Sequence, residues 1–245
     1  MLDVKVVGHR GAALLAPENT LAAIKAGADA GVKWVEIDVY LVADDGLVIF
    51  HDETLDRCTT GEGTTSQATL SYIQSLDAGS WFGDEFIGEK VPTLVEALTY
   101  IQSLGLGLNL EIKFDQDNVD AIVPGVLAEL DTHWQDNEKL IISSFNKSAL
   151  EMCYQLSPTR HLAQLYEAIP DSWQEDLAYI KAYSLHCDYS LLTESQAKAV
   201  KAAGYKLLCY TANTIDQVAD HWHWGMDAII TDDPNVFLTQ ELILD

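Results

Sequence analysis

The feature that most constrains this chain is an alternation. Short β-branched or aliphatic runs are each followed by an amphipathic or Ala-rich stretch, and the pair recurs eight times. The strand patterns fall at 4–7, 34–39, 107–113, 140–145, 161–166, 183–186, 206–210 and 228–231. The helical patterns fall at 21–30, 95–103, 119–130, 147–156, 174–181, 194–203, 215–221 and 234–241. Strands separated by helices run parallel, because each helix carries the chain back to the same end of the sheet. Eight such units predict an α/β fold, a closed (β/α)8 TIM barrel in one domain across residues 1–245, a length that suits it. No G-x-G-x-x-G follows the first strand pattern, which weakens the open dinucleotide-binding alternative.

Two segments break the rhythm. Gly46–Phe50 is a short strand-like extension of the second unit that delivers His51-Asp52. From Glu53 to Lys90 the chain lacks long periodicity and carries five glycines, so 53–90 is expected to be a small insertion or lid after the second strand. Its Trp81-Phe82 pair has two readings, covering a cleft or anchoring the insertion to the barrel.

Barrel active sites lie at the C-terminal ends of the strands. Side chains alternate faces along a strand, so Glu36 and Asp38 in Trp34-Val35-Glu36-Ile37-Asp38-Val39 point the same way. Two adjacent carboxylates repel unless a proton or cation lies between them. Glu111-x-Lys113 repeats the spacing on the next strand, and three carboxylates around one point suit a hard divalent cation, Mg²⁺ or Ca²⁺. With such an ion, Arg10 and Lys113 leave a small positive excess, which fits a phosphodiester monoanion. His9 and His51 close their own strand patterns at the same rim. Each signal has a plainer reading: a lone E-x-D on a strand can face solvent, and a lone His9 can be a satisfied barrel histidine. Tyr210 and Trp224 read as packing residues. One of Asp232 and Asp233, before Pro234, reads as a helix N-cap, and His221 and His223 read as surface residues.

Charge narrows the partners. There are 14 Lys+Arg against 38 Asp+Glu, a net charge of -24, which repels nucleic acid and anionic lipid. No apolar run reaches the roughly 18 residues of a membrane span. The N-terminus shows no leader pattern, and the four cysteines are scattered, so a cytoplasmic protein with reduced thiols is expected. There is no G-x-S-x-G, H-E-x-x-H or Walker loop to support serine hydrolase, zincin or nucleotide-triphosphatase chemistry.

Taken in order, Gly8-His9-Arg10-Gly11, Pro17-Glu18-Asn19-Thr20, Glu36-Ile37-Asp38 and His51-Asp52 resemble the N-terminal signature of the glycerophosphodiester phosphodiesterase family. Val91-Pro92-Thr93-Leu94, Glu111-Ile112-Lys113, Tyr210-Thr211-Ala212-Asn213 and Ile230-Thr231-Asp232-Asp233-Pro234 extend the likeness along nearly the whole chain. The resemblance implies a metal-dependent (β/α)8 enzyme that hydrolyses glycerophosphodiesters to sn-glycerol 3-phosphate and an alcohol. It implies Glu36, Asp38 and Glu111 as metal ligands, His9 and His51 as general acid and base, and Arg10 and Lys113 as phosphate holders. Glu18, Asn19, Asp52, Trp81, Phe82, Tyr210 and Asn213 are further candidates for contacts to these groups or to substrate. The stretch around His186 fits the family less cleanly, and the short insertion resembles the cytoplasmic bacterial type. The alternatives are a phospholipase D-like lyase releasing a cyclic phosphate, a non-catalytic acidic metal-binding module, and a metal-dependent barrel aldolase.

Overall fold

The computed structural model describes residues 2–114 and 118–241. Eight strands form a parallel ring: β1 (Val6–Gly8), β2 (Trp34–Leu41), β4 (Gly107–Ile112), β5 (Leu140–Ser144), β6 (His161–Tyr166), β7 (Ser184–Asp188), β8 (Lys206–Tyr210) and β9 (Ala228–Thr231). The ring closes because β1 pairs with both β2 and β9. The ninth strand, β3 (Leu47–Ile49), lies outside the ring, antiparallel to the far end of β2.

The helices occupy the expected intervals: α1 (Leu21–Ala30), α3 (Leu94–Ser103), α4 (Val119–His133), α5 (Lys147–Leu156), α6 (Trp173–Tyr179), α7 (Glu194–Ala202), α8 (Ala219–Trp224) and α9 (Pro234–Glu241), with the short α2 (Leu70–Ser75) in the insertion. Their starts are written in the sequence as capping residues. Thr20 caps α1 by accepting from Ala23 N–H, and Thr93 and Thr193 form reciprocal capping boxes with Glu96 and Gln196. Only the stretch at 215–221 departs in kind. It divides into a 3-10 turn, Ile215–Gln217, and α8, a helix closed by Gly225 in the left-handed conformation.

Packing follows strand parity. Val35, Ile37 and Val39 point outward into the apolar layer between barrel and helices, with Leu108, Leu110 and Ile112 beside them. Trp34, Val7, Ile141, Ala163, Leu208, Ala228 and Ile230 form a separate buried cluster, which includes Leu2, inside the ring. The insertion has a core of its own, in which Tyr40, Val48 and Phe50 meet Leu55, Ile73, Leu76 and Val91. Burying those side chains gives the segment 53–90 a fixed position against β2 and β3 despite its lack of periodicity.

One residue differs from its expected surroundings. His221 is buried rather than on the surface, stacked against Trp224 with ring centroids 4.3 Å apart and bonded through Nε2 to the Tyr189 carbonyl, while His223 is exposed. The cysteines, Cys58, Cys153, Cys187 and Cys209, are all buried and free. Among the described residues, no helix is long and apolar enough to cross a membrane.

Candidate active site

The loop after β1 makes the first wall. Arg10 and Asn19 both adopt left-handed backbone conformations, at φ 49 and 58, which for non-glycine residues need support from their surroundings. The support is local. Arg10 N–H donates to Glu36 Oε2 at 2.9 Å, and Asn19 N–H donates to the Arg10 carbonyl. The flanking glycines are required by close approach, since a Cβ on Gly8 would lie 1.9 Å from the Gly11 carbonyl oxygen and one on Gly11 would lie 2.6 Å from the α1 backbone.

Strand β2 supplies Glu36 and Asp38, both almost fully buried, and β4 supplies Glu111, whose position pairs with Asp38 across the sheet. Their oxygens lie within 4.8 Å of one another. Burial and the charges of Asp38 and Glu111 push Glu36 well above the usual carboxylate range, and burial together with Asp38 raises Glu111 to about 7. Burial would raise Asp38 as well, but Lys113, His51 and Arg10 outweigh it and hold it low. Fully ionised, the trio would carry more negative charge than its surroundings compensate, and Glu36 and Glu111 hold protons more tightly for that reason. Glu36 Oε1 is buried without a hydrogen-bond partner, as an oxygen waiting for a cation would be. All-carboxylate donors suit Mg²⁺ or Ca²⁺, so the residues present fit such an ion.

Cationic side chains border the trio. Lys113, one residue beyond β4, is 2.8 Å from Glu111 and 3.8 Å from Asp38. Arg10 bonds Glu18 at 2.5 Å and lies 3.7 Å from Asp38, yet its buried Nε has no hydrogen-bond partner. Asn19 donates to Asp38 Oδ2 at 2.8 Å and receives the Asp38 N–H in return.

Both expected histidines reach the site, and each is held by an aspartate. His51 Nδ1 lies 2.7 Å from Asp52 Oδ1, and His9 Nδ1 lies 2.6 Å from Asp232 Oδ1. The second Asp232 oxygen accepts from Asn213 Nδ2 at 2.8 Å, while Asn213 Oδ1 accepts from Asp232 N–H and Thr231 Oγ1. Nε2 of His9 is thereby turned toward Glu36, 3.9 Å away. Burial lowers the His51 pKa, with Asp38 opposing. Asp52 is held down at about 2, because hydrogen bonds from Arg57 and His51 outweigh its desolvation.

These side chains border two joined spaces. A compartment of about 160 Å³ is lined by His9, Arg10, Glu36, Asn109 and Tyr210 among others. A more open one of about 630 Å³ is lined by Tyr40, Asp52, Glu53, Phe114 and Glu167 among others. His51, Glu111, Lys113 and Phe145 belong to both, so Glu111 and Lys113 stand at the junction, while Glu36 and Arg10 border the smaller compartment.

Trp81 and Phe82 line neither compartment. Their recorded contacts lie within the insertion itself: Trp81 Nε1 donates to the Ala78 carbonyl, and its ring meets Phe82 edge-on, as Phe82 meets Phe86. His186 is fully buried inside the ring against Ser184 Oγ, and burial pushes its pKa down to about 3. The structure adds residues that sequence reading passed over. Asp232 was readable only as a cap, which its neighbour Asp233 provides by accepting from Asn235 N–H. Arg57 bonds both Glu18 and Asp52, tying the Arg10 and His51 supports together. It lies five residues past Asp52, a spacing with no chemical signature. Asn109, Phe114, Phe145 and Glu167 come to the rim only through the barrel's curvature.

A sequence profile described as the Glycerophosphoryl diester phosphodiesterase family matches residues 9–236. The chain is 36% identical over 237 residues to a glycerophosphodiester phosphodiesterase of Caldanaerobacter subterraneus, spanning 95% of this chain and 96% of that protein. A glycerophosphodiester phosphodiesterase of Bacillus subtilis is 31% identical over 252 residues, spanning 96% of this chain and 85% of its own length. The solved structure of an Oleispira antarctica phosphodiesterase in complex with the product sn-glycerol-3-phosphate superposes with a TM-score of 0.94 at 38% identity, covering 96% of both chains. With the profile spanning the ring from His9 at the end of β1 to α9, the chain belongs to the glycerophosphoryl diester phosphodiesterase family of hydrolases.

Proposed function

We propose that this protein hydrolyses glycerophosphodiesters to sn-glycerol 3-phosphate and an alcohol, with His9 and His51 as its proton-transfer groups. The observation that carries this reading is a pair of buried atoms of opposite kind that lack hydrogen-bond partners: a carboxyl oxygen, Glu36 Oε1, and a guanidinium nitrogen, Arg10 Nε. A divalent cation answers the first and a phosphodiester oxygen the second, and a phosphodiester bound to the cation answers both. The named relatives and the product-bound Oleispira structure support the substrate class.

Glu36, Asp38 and Glu111 would hold the cation, Mg²⁺ or Ca²⁺, which when bound withdraws charge from the phosphoryl oxygens. Arg10 and Lys113 hold those oxygens and neutralise the charge that grows on them as phosphorus is attacked. His9, locked by Asp232 with Nε2 facing inward, takes the proton of the attacking hydroxyl. His51 borders both compartments, so it is placed to give its proton to the departing alcohol. Asp52 steadies that ring from behind.

The test is glycerol 3-phosphate release from a panel of glycerophosphodiesters, after chelation and again after Mg²⁺ or Ca²⁺ add-back. Release that needs the cation is the expected result. Binding of Ca²⁺ with no release from any diester would instead support the non-catalytic module, and a persisting cyclic phosphate would support the lyase. Replacing His9 or His51 by Ala should lower kcat by roughly 10²–10⁴-fold. With a 4-nitrophenyl leaving group, which needs no proton, His51→Ala should recover most of its rate and His9→Ala should not. The reverse pattern would exchange the two roles.

A further inference from the structure

The barrel interior carries polar side chains that the proton-transfer and phosphate-holding groups do not involve. Strand register places them. Along the ring Glu36 pairs with Asn109, Glu111 with Ser143 and Leu165 with His186. Closure of an eight-stranded barrel lowers each successive partner by about one residue, so interior side chains collect in layers drawn from alternate strands. Glu36, Ser143, His186 and Ile230 form one layer, from β2, β5, β7 and β9. Val7, Asn109, Ala163 and Leu208, from the strands between them, form the layer beneath.

Such interiors are filled mainly by branched apolar residues. Asn109, Ser143 and His186 are exceptions, each at most 1% exposed. Both ends of the Asn109 amide, the Ser143 hydroxyl and His186 Nδ1 have no hydrogen-bond partner among the described residues. The other His186 ring nitrogen is 2.9 Å from Ser184 Oγ, which fixes the ring. Buried polar groups need partners, and these four atoms lie in two adjoining layers of one interior. They are neutral and of mixed kind, for one end of the amide donates and the other accepts, and burial keeps His186 uncharged. The amide N–H group repels a cation, whereas water both donates and accepts and suits the whole set. Ala163, the register partner of Ser143, is small enough to leave room, and the compartment of about 160 Å³ reaches down to Asn109 and Ile230.

We propose that Asn109, Ser143 and His186 hold a cluster of buried waters on the interior side of the metal trio, and that through it they act as positioning residues for Glu36 and Glu111. The positioning role rests on the cation reading of that trio. Asn109 stands beside Glu36, and Ser143 beside Glu111, on neighbouring strands about 4.8 Å apart. Neither makes a direct hydrogen bond to its carboxylate neighbour, so the connection runs through water. Groups that orient metal ligands from behind set the affinity for the ion.

Calorimetry of Mg²⁺ and Ca²⁺ binding to the substrate-free protein tests the positioning role, and a high-resolution crystal structure tests the waters. Ser143→Ala, Asn109→Leu and His186→Phe should each weaken the cation about 10-fold, with circular dichroism showing a folded protein. Ser143→Ala removes a single oxygen, so it serves if the larger changes unfold the barrel. Asn109→Ser keeps a hydroxyl in the cluster and admits one more water, so it should stay within about 3-fold of wild type. Wild-type affinity in Ser143→Ala and Asn109→Leu overturns the positioning role, as does Asn109→Ser binding no better than Asn109→Leu. A dry interior around the four atoms overturns the cluster. A KM raised by Asn109→Leu with cation affinity unchanged assigns Asn109 to substrate and overturns its role here. A wild type that binds neither cation removes the cation reading itself, and the positioning role with it.

Discussion

His9 and His51 reach the same local arrangement by different routes. In each, Nδ1 faces an aspartate at 2.6–2.7 Å, which keeps the proton on that nitrogen and turns Nε2 into the cleft. Asp52 stands next to His51 in the chain, so its role was open to reading. Asp232 stands 223 residues from His9, and an aspartate ahead of Pro234 reads more cheaply as a cap. Replacing Asp232 by Ala should lower kcat by roughly 10–100-fold through loss of tautomer and ring orientation, while the folded secondary structure persists. Steady-state kinetics alongside circular dichroism check this, and unchanged kcat would remove Asp232 from the machinery. The carboxylate trio was the most legible part of the site, because strand parity alone puts positions 36 and 38 on one face.

The alternation of strands and helices was legible to within a residue or two except at 119–130, which runs on to His133, and at 215–221, since caps such as Thr20, Thr93 and Thr193 mark helix starts directly. The insertion was legible only as a gap in the pattern. Its order comes from a small apolar core and from Arg57, whose guanidinium reaches Glu18 on the β1–α1 loop and Asp52 behind His51. The Arg57 side chain is 47% exposed, so these ion pairs are screened and its replacement by Ala should cost stability at most about 1 kcal/mol. Activity should fall further than stability does, by about 3–10-fold in kcat/KM, because the supports of Arg10 and His51 lose their shared tether. Hydrogen exchange over 53–69 should quicken in the variant. Exchange and activity both at wild-type levels would show that the apolar core alone positions the insertion.

Across the whole molecule, 38 Asp+Glu against 14 Lys+Arg leave a net charge of -24. Self-repulsion of that size destabilises the compact state, so raising salt from about 20 mM to about 500 mM should raise the Tm by several degrees. A fall in Tm over that range would show that attractive pairs dominate instead. Asp227 is one such pair, at the turn between α8 and β9. Burial would raise its pKa, but bonds from Lys201, Lys206 and the Leu207 N–H hold it below the ordinary value. A depressed carboxylate stabilises the fold above its unfolded pKa and loses that contribution as pH falls through the folded one. Asp227→Asn should therefore cost roughly 1–3 kcal/mol at pH 7, with the gap to wild type closing on acidification below the carboxylate range. Urea unfolding at both pH values measures it, and a gap that stays constant would assign the cost to packing.

By itself the sequence determined the (β/α)8 plan, the strand faces that carry Glu36, Asp38 and Glu111, and the motif residues His9, Arg10, His51 and Lys113. The plan and the strand faces follow from period, parity and short-range capping, which act over a few residues, and the four motif residues follow from the family resemblance. Only the tertiary structure decided that Asp232 bonds His9, that Arg57 joins two supports, that Trp81 and Phe82 pack on each other within the insertion, and that Phe114, Phe145 and Glu167 line one compartment with His51 and Lys113. The physical reason is ring closure. Side chains from strands far apart in sequence converge at one rim only when β1 pairs with both β2 and β9, and no local pattern encodes that distance.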